Sequence, residues 1–276
     1  MTNLPTGSVR YAPRPKYLAL SIMQIQQAIA YPAGVLIDLL ASLLSIAAVY
    51  YLWRAVFAAR PQIEGFDWRA MQVYVLVSNA IFALLGATTM RAMMDSIRTG
   101  AIAADLLRPY SYIGAQFAQA LGRAATQGAA SSAATALVGF VLVGMPAPPS
   151  LANALLFVVS VGLSFSISFL LNFLLGLLCF WTKDSEGLLW AYAIISFIFS
   201  GGMVPLQFLP RWLEIVAFAL PFQGMIHTPL LFYLGTVGAP ELASALLRQA
   251  MWVCILGALV WLLWARALRA AEMHGG

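Results

Sequence analysis

Charge is what this sequence has least of. Asp, Glu, Lys and Arg together make up 9% of its 276 residues, against about a quarter in soluble domains. That scarcity excludes a water-soluble globule, which must cover its core with a polar exterior. Lysine is confined to Lys16 and Lys183, histidine to His227 and His274, and cysteine to Cys179 and Cys254. Each cysteine sits inside an apolar run and reads as a small apolar residue rather than half of a disulfide or metal pair. No G-x-x-x-x-G-K-S/T is present, so the chain has no P-loop for ATP phosphates. The H-E-x-x-H and G-x-S-x-G patterns are missing too, as is any Cys/His cluster with metal spacing. The net charge of +5 is scattered over segment ends rather than gathered in a stripe, which argues against nucleic acid. Residues 1–16 lack the compact apolar region and small-residue site of a cleavable signal, so insertion is expected to begin with the first membrane helix.

What remains is apolar. Hydrophobic residues are 62% of the chain and the mean hydropathy is +0.86. Lipid is the solvent that tolerates such a chain. The pattern predicts an all-α integral membrane protein in one transmembrane domain, residues 1–276. Residues 17–31 read as an amphipathic helix. Leu18, Leu20, Ile22, Met23, Ile25 and Ile29 lie on one side, and Ser21, Gln24, Gln26 and Gln27 on the other, with Pro32 ending it. Such a helix lies in the membrane interface or packs as a soluble helix; the basic Arg10, Arg14 and Lys16 before it favour the interface. Six spans are expected near residues 34–57, 71–90, 124–143, 151–181, 187–202 and 248–266, to be set against the roughly 20 residues a crossing needs. Ala124, Gly128, Ser132 and Ala136 recur at four-residue spacing, a small-residue face that permits close helix approach, to a second copy among other partners.

Between the fifth and sixth spans, residues 203–235 are apolar but broken by Pro205, Pro210, Pro221 and Pro229. The pieces are too short to cross, and are expected as short re-entrant helices packed on protein. Basic residues fix the orientation. Arg10, Arg14, Lys16, Arg91, Arg98, Arg108, Arg123, Lys183, Arg266 and Arg269 fall on one side. Arg54, Arg60, Arg69, Arg211 and Arg248, half as many, fall on the other. Both termini are therefore expected in the cytoplasm, with the Pro-broken region outward.

Few side chains suggest chemistry inside the membrane. Asp38 is the one intramembrane acid worth weighing as a relay, and it lies close enough to the start of the first span to reach the interface. Ser160, Ser164, Ser166 and Ser168 recur along the fourth span and read as helix-packing groups or as lining of a substrate path. His227 beside Thr228 and Pro229 reads as structural. So few buried ionisable groups place the energy source outside this chain.

The informative stretch lies between the second and third spans. Gly100 permits a turn, Ala101 to Arg108 suffice for two helical turns, and Pro109 stops them. Ile102, Leu106 and Leu107 supply an apolar side, Asp105 and Arg108 the charges. A short amphipathic helix of this kind rests on lipid or docks into a partner's groove.

Here the sequence resembles the membrane subunit of ATP-binding cassette (ABC) exporters of the type-2 permease class. The motifs carrying the resemblance are Thr99-Gly100 followed after five residues by Leu106-Leu107-Arg108-Pro109, Ile63-Glu64-Gly65 before the second span, and Trp181 with Glu186-Gly187 after the fourth. Beyond the fifth span follow Ser200-Gly201, Pro205-Leu206, Pro210, Trp212-Leu213, Leu220-Pro221-Phe222 and Pro229. The one departure is Thr99, where the pattern usually has Ser. The resemblance covers about residues 15–270. It implies a bacterial efflux system in the cytoplasmic (inner) membrane, built from two permeases, identical or related, and two separate ATPase subunits. It implies that Gly100, Ala101, Ile102, Asp105, Leu106, Leu107, Arg108 and Pro109 form a coupling helix that docks on the ATPase. Gly201, Pro205, Pro210, Trp212, Pro221 and Pro229 would shape the outer re-entrant region. No cofactor or metal would be bound by this chain, ATP and Mg belonging to the partner subunit. An ion-coupled secondary carrier and a membrane-embedded lipid-modifying enzyme are the alternatives.

Overall fold

The computed structural model describes residues 16–86, 88–182 and 186–274. Arg10, Arg14 and Lys183, used above for orientation, lie outside the described residues. Among those described the fold is helical, with a single two-stranded hairpin.

Helix α1 is Lys16–Ala30 and α2 is Pro32–Ala59. Pro32 does more than end α1: it occupies the first turn of α2, where a missing N–H leaves nothing unpaired. At 28 residues, α2 reaches roughly 42 Å, more than the roughly 30 Å of hydrocarbon. The chain then reverses through β1 (Gln62–Ile63) and β2 (Phe66–Asp67), with Glu64 and Gly65 both at positive φ in the turn. The Asp67 carboxylate caps α3 (Trp68–Leu85) by accepting from the Ala70 N–H at 2.7 Å.

Helix α3 is the hub. Met71, Val73, Tyr74, Val75, Leu76, Val77, Ile81 and Leu85 are all buried, so the helix is covered on every side. The predicted second span, 71–90, ends early because Gly86 takes φ +42 and breaks the helix. The following stretch, read from sequence as a polar connection, is largely helical. Helix α4 (Thr88–Arg98) buries Met90, Met93 and Met94 on one side and leaves Arg91 and Asp95 exposed. A short α5 (Ile102–Leu106) comes next, then α6 (Tyr112–Arg123).

The third span was expected to begin at Ala124, but the chain is helical throughout residues 112–143. After α6 comes a π turn (Ala124–Gly128), then α7 (Ala129–Val138), then a second π turn (Gly139–Val143). Each π turn shifts the side-chain phase, which hides the continuity from a 3.6-residue pattern. The small-residue stripe faces α3 within the same chain. A Cβ on Gly128 would lie 3.0 Å from the Ala83 carbonyl, and Ser132 donates to the Ala80 carbonyl at 2.7 Å. Ala136 turns outward. The stripe is therefore spent on intramolecular packing.

Helix α8 (Leu151–Leu178) matches the fourth expected span, and Ser150 caps it through the Asn153 N–H. Helix α9 (Glu186–Phe199) has 14 residues and reaches roughly 21 Å; it ends before 202, at the Ser200-Gly201 turn, where Gly201 has φ +81. The last helix, α12 (Ala239–His274), starts well before the expected 248 because Pro240 is tolerated in its first turn. It runs parallel to α8: Gln249 meets Ser160 near one end and Trp264 meets Phe173 towards the other.

By length and composition four stretches are able to cross a membrane: Pro32–Ala59, Trp68–Arg98, Leu151–Leu178 and Ala239–Ala267. A bent pair, α10 (Arg211–Ala219) with Pro221–Leu234, which contains α11 (His227–Leu234), makes a fifth only if counted as one span. The expected third and fifth spans fall outside that test, one interrupted by π turns and the other 14 residues long. The molecule is a multi-pass, all-α integral membrane protein.

The Pro-broken region is a hairpin. It starts beside Trp53, whose indole Nε1 donates to the Met203 carbonyl, and beside Phe208 packed on Phe66 of the β turn. It returns to the same end of the bundle, where Tyr233 donates to the Pro146 carbonyl and Gly235 abuts Pro149. Between these ends its turn reaches Ser164, thirteen residues into α8 and thus roughly 20 Å along it. The two helices meet at 72°.

Candidate functional site

The segment between α4 and α6 protrudes from the end of the bundle opposite the hairpin. Thr99 closes α4 with its N–H and hydroxyl on the Asp95 carbonyl. Gly100 then takes φ +73, a conformation other L-residues adopt only with strain; a Cβ there would meet nothing, so backbone alone selects the glycine. Helix α5 is five residues long, shorter than the two turns expected, because Leu107 and Arg108 leave the helix before Pro109.

The apolar side is also narrower than the sequence suggested. Ile102 is buried among Met93, Tyr112, Phe173 and Leu177, and Leu106 packs at the edge of that cluster. Leu107 points the opposite way and is 87% exposed. Adjacent helical positions lie about 100° apart, and Leu107 keeps helical dihedrals, so residues 106 and 107 fall on different sides. The result is an anchored knob, with Ile102 and Leu106 holding the segment from below and Leu107 at its tip.

Charge surrounds the knob. Arg108 lies 3.5 Å from Asp105 and donates to the Tyr110 hydroxyl at 2.8 Å. Tyr110 first, and Asp105 after it, push the Arg108 guanidinium above its usual pKa, so it stays charged at any working pH. The exposed ion pair itself adds little stability. Pro109 offers its carbonyl to Lys16 Nζ at 3.0 Å, and the Ser111 N–H donates to the Tyr17 hydroxyl at 3.2 Å. Helix α1 is thus tied to the protruding segment at its first turn. It then runs parallel to α6, with Ser21 donating to the Ala118 carbonyl at 2.6 Å. Behind the segment, Tyr112 stacks on Trp264 of α12 with centroids 5.1 Å apart. Any displacement of residues 99–111 therefore acts on α1, α4, α6 and α12 together.

The hairpin residues hold the second predicted constellation. The Tyr74 hydroxyl donates to the Gly201 carbonyl deep in the core. Pro205 and Pro210 each precede a helical turn, Pro221 starts another, and Pro229 lies inside the first turn of α11, where its ring breaks no hydrogen bond. Pro205, Pro221 and Pro229 are buried, whereas Trp212 is 68% exposed. His227 is buried against the edge of Phe218, and its N–H donates to the Ser200 carbonyl.

The serines of the fourth span divide. Ser160 and Ser164 join Gln249 of α12 and the Gly224 carbonyl in one buried network. Ser168 approaches Asn172, which bonds Tyr192 of α9. Ser166 returns to its own helix at Gly162. Gln249, Asn172 and Tyr192 went unremarked in the sequence, since a lone amide or phenol in an apolar run announces no partner. Among the described residues no group of three or more His, Cys, Asp or Glu is placed to hold a metal.

A multi-pass helical bundle with a short anchored knob at one end and a re-entrant hairpin at the other has the parts of a transport permease. The chain belongs to the ABC-2 family of transporter proteins, whose family pattern matches residues 43–275. That match runs from within α2 through α12, including the knob and the hairpin. Members of this family are membrane components that work with an ABC ATPase subunit. No curated protein sequence matches the chain.

Proposed function

We propose that this chain is the membrane subunit of an ATP-driven exporter in a bacterial cytoplasmic membrane, with both termini cytoplasmic. A separate ATPase subunit binds ATP and Mg, and a second permease, identical or related, completes the path. The observation that carries the reading is Leu107, an 87%-exposed leucine at the tip of a helix anchored by buried Ile102. An apolar knob ringed by Asp105, Arg108 and Lys16 suits a groove on a soluble partner better than it suits lipid. ATP-driven closure of the ATPase pair moves the knob, and the tied elements α1, α4, α6 and α12 pass that movement to the bundle. Differential affinity of the ATPase for the two bundle states then drives export.

Leu107→Asp removes the knob without touching the core. Burying a leucine contributes about 1.5–3 kcal/mol, so the variant should bind the ATPase roughly 10- to 100-fold more weakly. Leu106→Asp and Arg108→Glu should weaken binding as well. Co-purification of the tagged permease with its ATPase from the source cell reads this directly. Unchanged ATPase recovery with Leu107→Asp and Arg108→Glu would remove the assignment.

A further inference from the structure

A second feature lies apart from the knob and the hairpin. Helices α2, α3 and the π turn after α6 enclose a cavity of about 360 Å³, within the roughly 300–1,000 Å³ of small-molecule sites. Its walls are mixed. Phe82, Leu84 and Phe165 are apolar; Ser42, Asn79 and Gln127 are polar. Two charged residues also line it, Asp38 and Arg123. Neither makes an ion pair; the ion pairs among the described residues are Asp105–Arg108 and Arg211–Glu214.

Arg123 is the unusual member. Its Nε and Nη2 meet no acceptor and are closed to a water-sized probe, so the guanidinium must turn towards the cavity to offer them to a ligand. These two nitrogens form the side-on fork with which a guanidinium grips a carboxylate or phosphate in two parallel hydrogen bonds. Leaving such donors unmatched in a protein interior is costly. The backbone that carries Arg123 into the cavity wall is the residue before a π turn, an element that recurs at functional sites. Asp38 is exposed, and its charge disfavours an anion on its own side, which leaves the Arg123 side for one.

We propose that this cavity binds an amphiphile bearing an anionic group, with Arg123 as the anion-binding residue and Phe82, Leu84 and Phe165 against the apolar body. It rests on the transport reading only in calling the ligand cargo; the binding itself requires no ATPase. Phosphate, sulfate and carboxylate share the required chemistry, whether carried by a bilayer lipid or by another amphiphile.

The test is calorimetric titration of the full chain, purified in neutral maltoside detergent, with dodecyl phosphate. Saturable binding is expected, weakened roughly 10- to 100-fold in Arg123→Gln. Arg123→Lys keeps the charge but loses the fork, and should bind several-fold more weakly than the native chain; it carries the test if Arg123→Gln does not insert. Competition by phosphatidylglycerol supports a lipid as the ligand, and its absence supports a non-lipid amphiphile. Equal dodecyl phosphate affinity in the native chain and both variants would overturn the site, as would equally tight binding of dodecyltrimethylammonium. Inorganic phosphate binding as tightly as dodecyl phosphate would overturn the amphiphile. Leu107→Asp should titrate like the native chain, so a failed coupling assignment and a failed cavity assignment give different results.

Discussion

Replacing Gln249 by Leu tests whether the hairpin is fastened to the bundle from both neighbouring helices. The Gln249 Nε2 donates to the Gly224 carbonyl at 2.7 Å and to the Ser160 carbonyl and Ser164 hydroxyl at 3.1 Å, while its Oε1 accepts from the Ser160 hydroxyl at 2.8 Å. Leucine has similar volume, so no large cavity opens and the change isolates the polar contacts. Interhelical hydrogen bonds in membrane proteins average about 0.6 kcal/mol; the two Nε2 hydrogens, shared among three acceptors, and the one accepted bond make three, or about 1.8 kcal/mol. The stranded Ser160 hydroxyl adds to this, whereas the Gly224 carbonyl keeps Ser164 as a donor at 2.8 Å. A loss of about 2–3 kcal/mol is therefore expected. Reversible unfolding in mixed micelles with rising dodecyl sulfate, followed by tryptophan fluorescence, measures it. A double-mutant cycle with Ser164→Ala should show coupling between the two side chains. A loss under about 0.5 kcal/mol, or strict additivity in the cycle, would refute the idea that this network holds the hairpin turn at depth.

Two further outcomes follow from close approaches. A Cβ on Gly122 would lie 2.5 Å from the Ser21 carbonyl oxygen and 2.8 Å from Gln24 Cβ, so Gly122→Leu should pry α1 from α6; disulfide trapping between Ser21→Cys and Ala118→Cys should drop in that background. Gly201 combines φ +81 with a Cβ position 2.8 Å from the Tyr74 hydroxyl, so Gly201→Ala should cost roughly 1–3 kcal/mol from the backbone alone. Adding Tyr74→Phe should recover only the steric part of the lost thermal stability in detergent.

The sequence showed the long apolar helices and the proline break points well, because composition and Pro are local signals. The amphipathic helix fell within a residue of α1, and α8 lacked only the short turn after Leu178. Where the reading missed, the cause was local geometry that a regular period does not encode. Two π turns shift the phase of the helix spanning residues 112–143 and conceal its first turns. Leu107 differs: Leu106 lies four residues from Ile102 and shares its side, whereas Leu107, five residues on, falls about 140° away even in a regular helix. Leu107 was assigned to the apolar side with Ile102, from which helical spacing already separates it. Arg123 was counted only as a charge at a helix end. Its unmatched donors come from α2, α3 and α6 meeting around it, and the chain pattern does not carry that information.

The tie between α1 and residues 109–111 has a mechanical consequence. Lys16 and Tyr17 hold one end of α1 to the coupling segment, while Leu18, Met23 and Ile29 face away from α6, all substantially exposed. With α1 in the membrane interface, as its amphipathic sequence predicts, those side chains sit among acyl chains, and each costs roughly 1.5–3 kcal/mol to draw into water. A swing that lifts the segment away from the bilayer drags α1 with it against that penalty. Under the proposed exporter reading, lipid would thereby act as a return spring on the stroke, with its stiffness set by three residues.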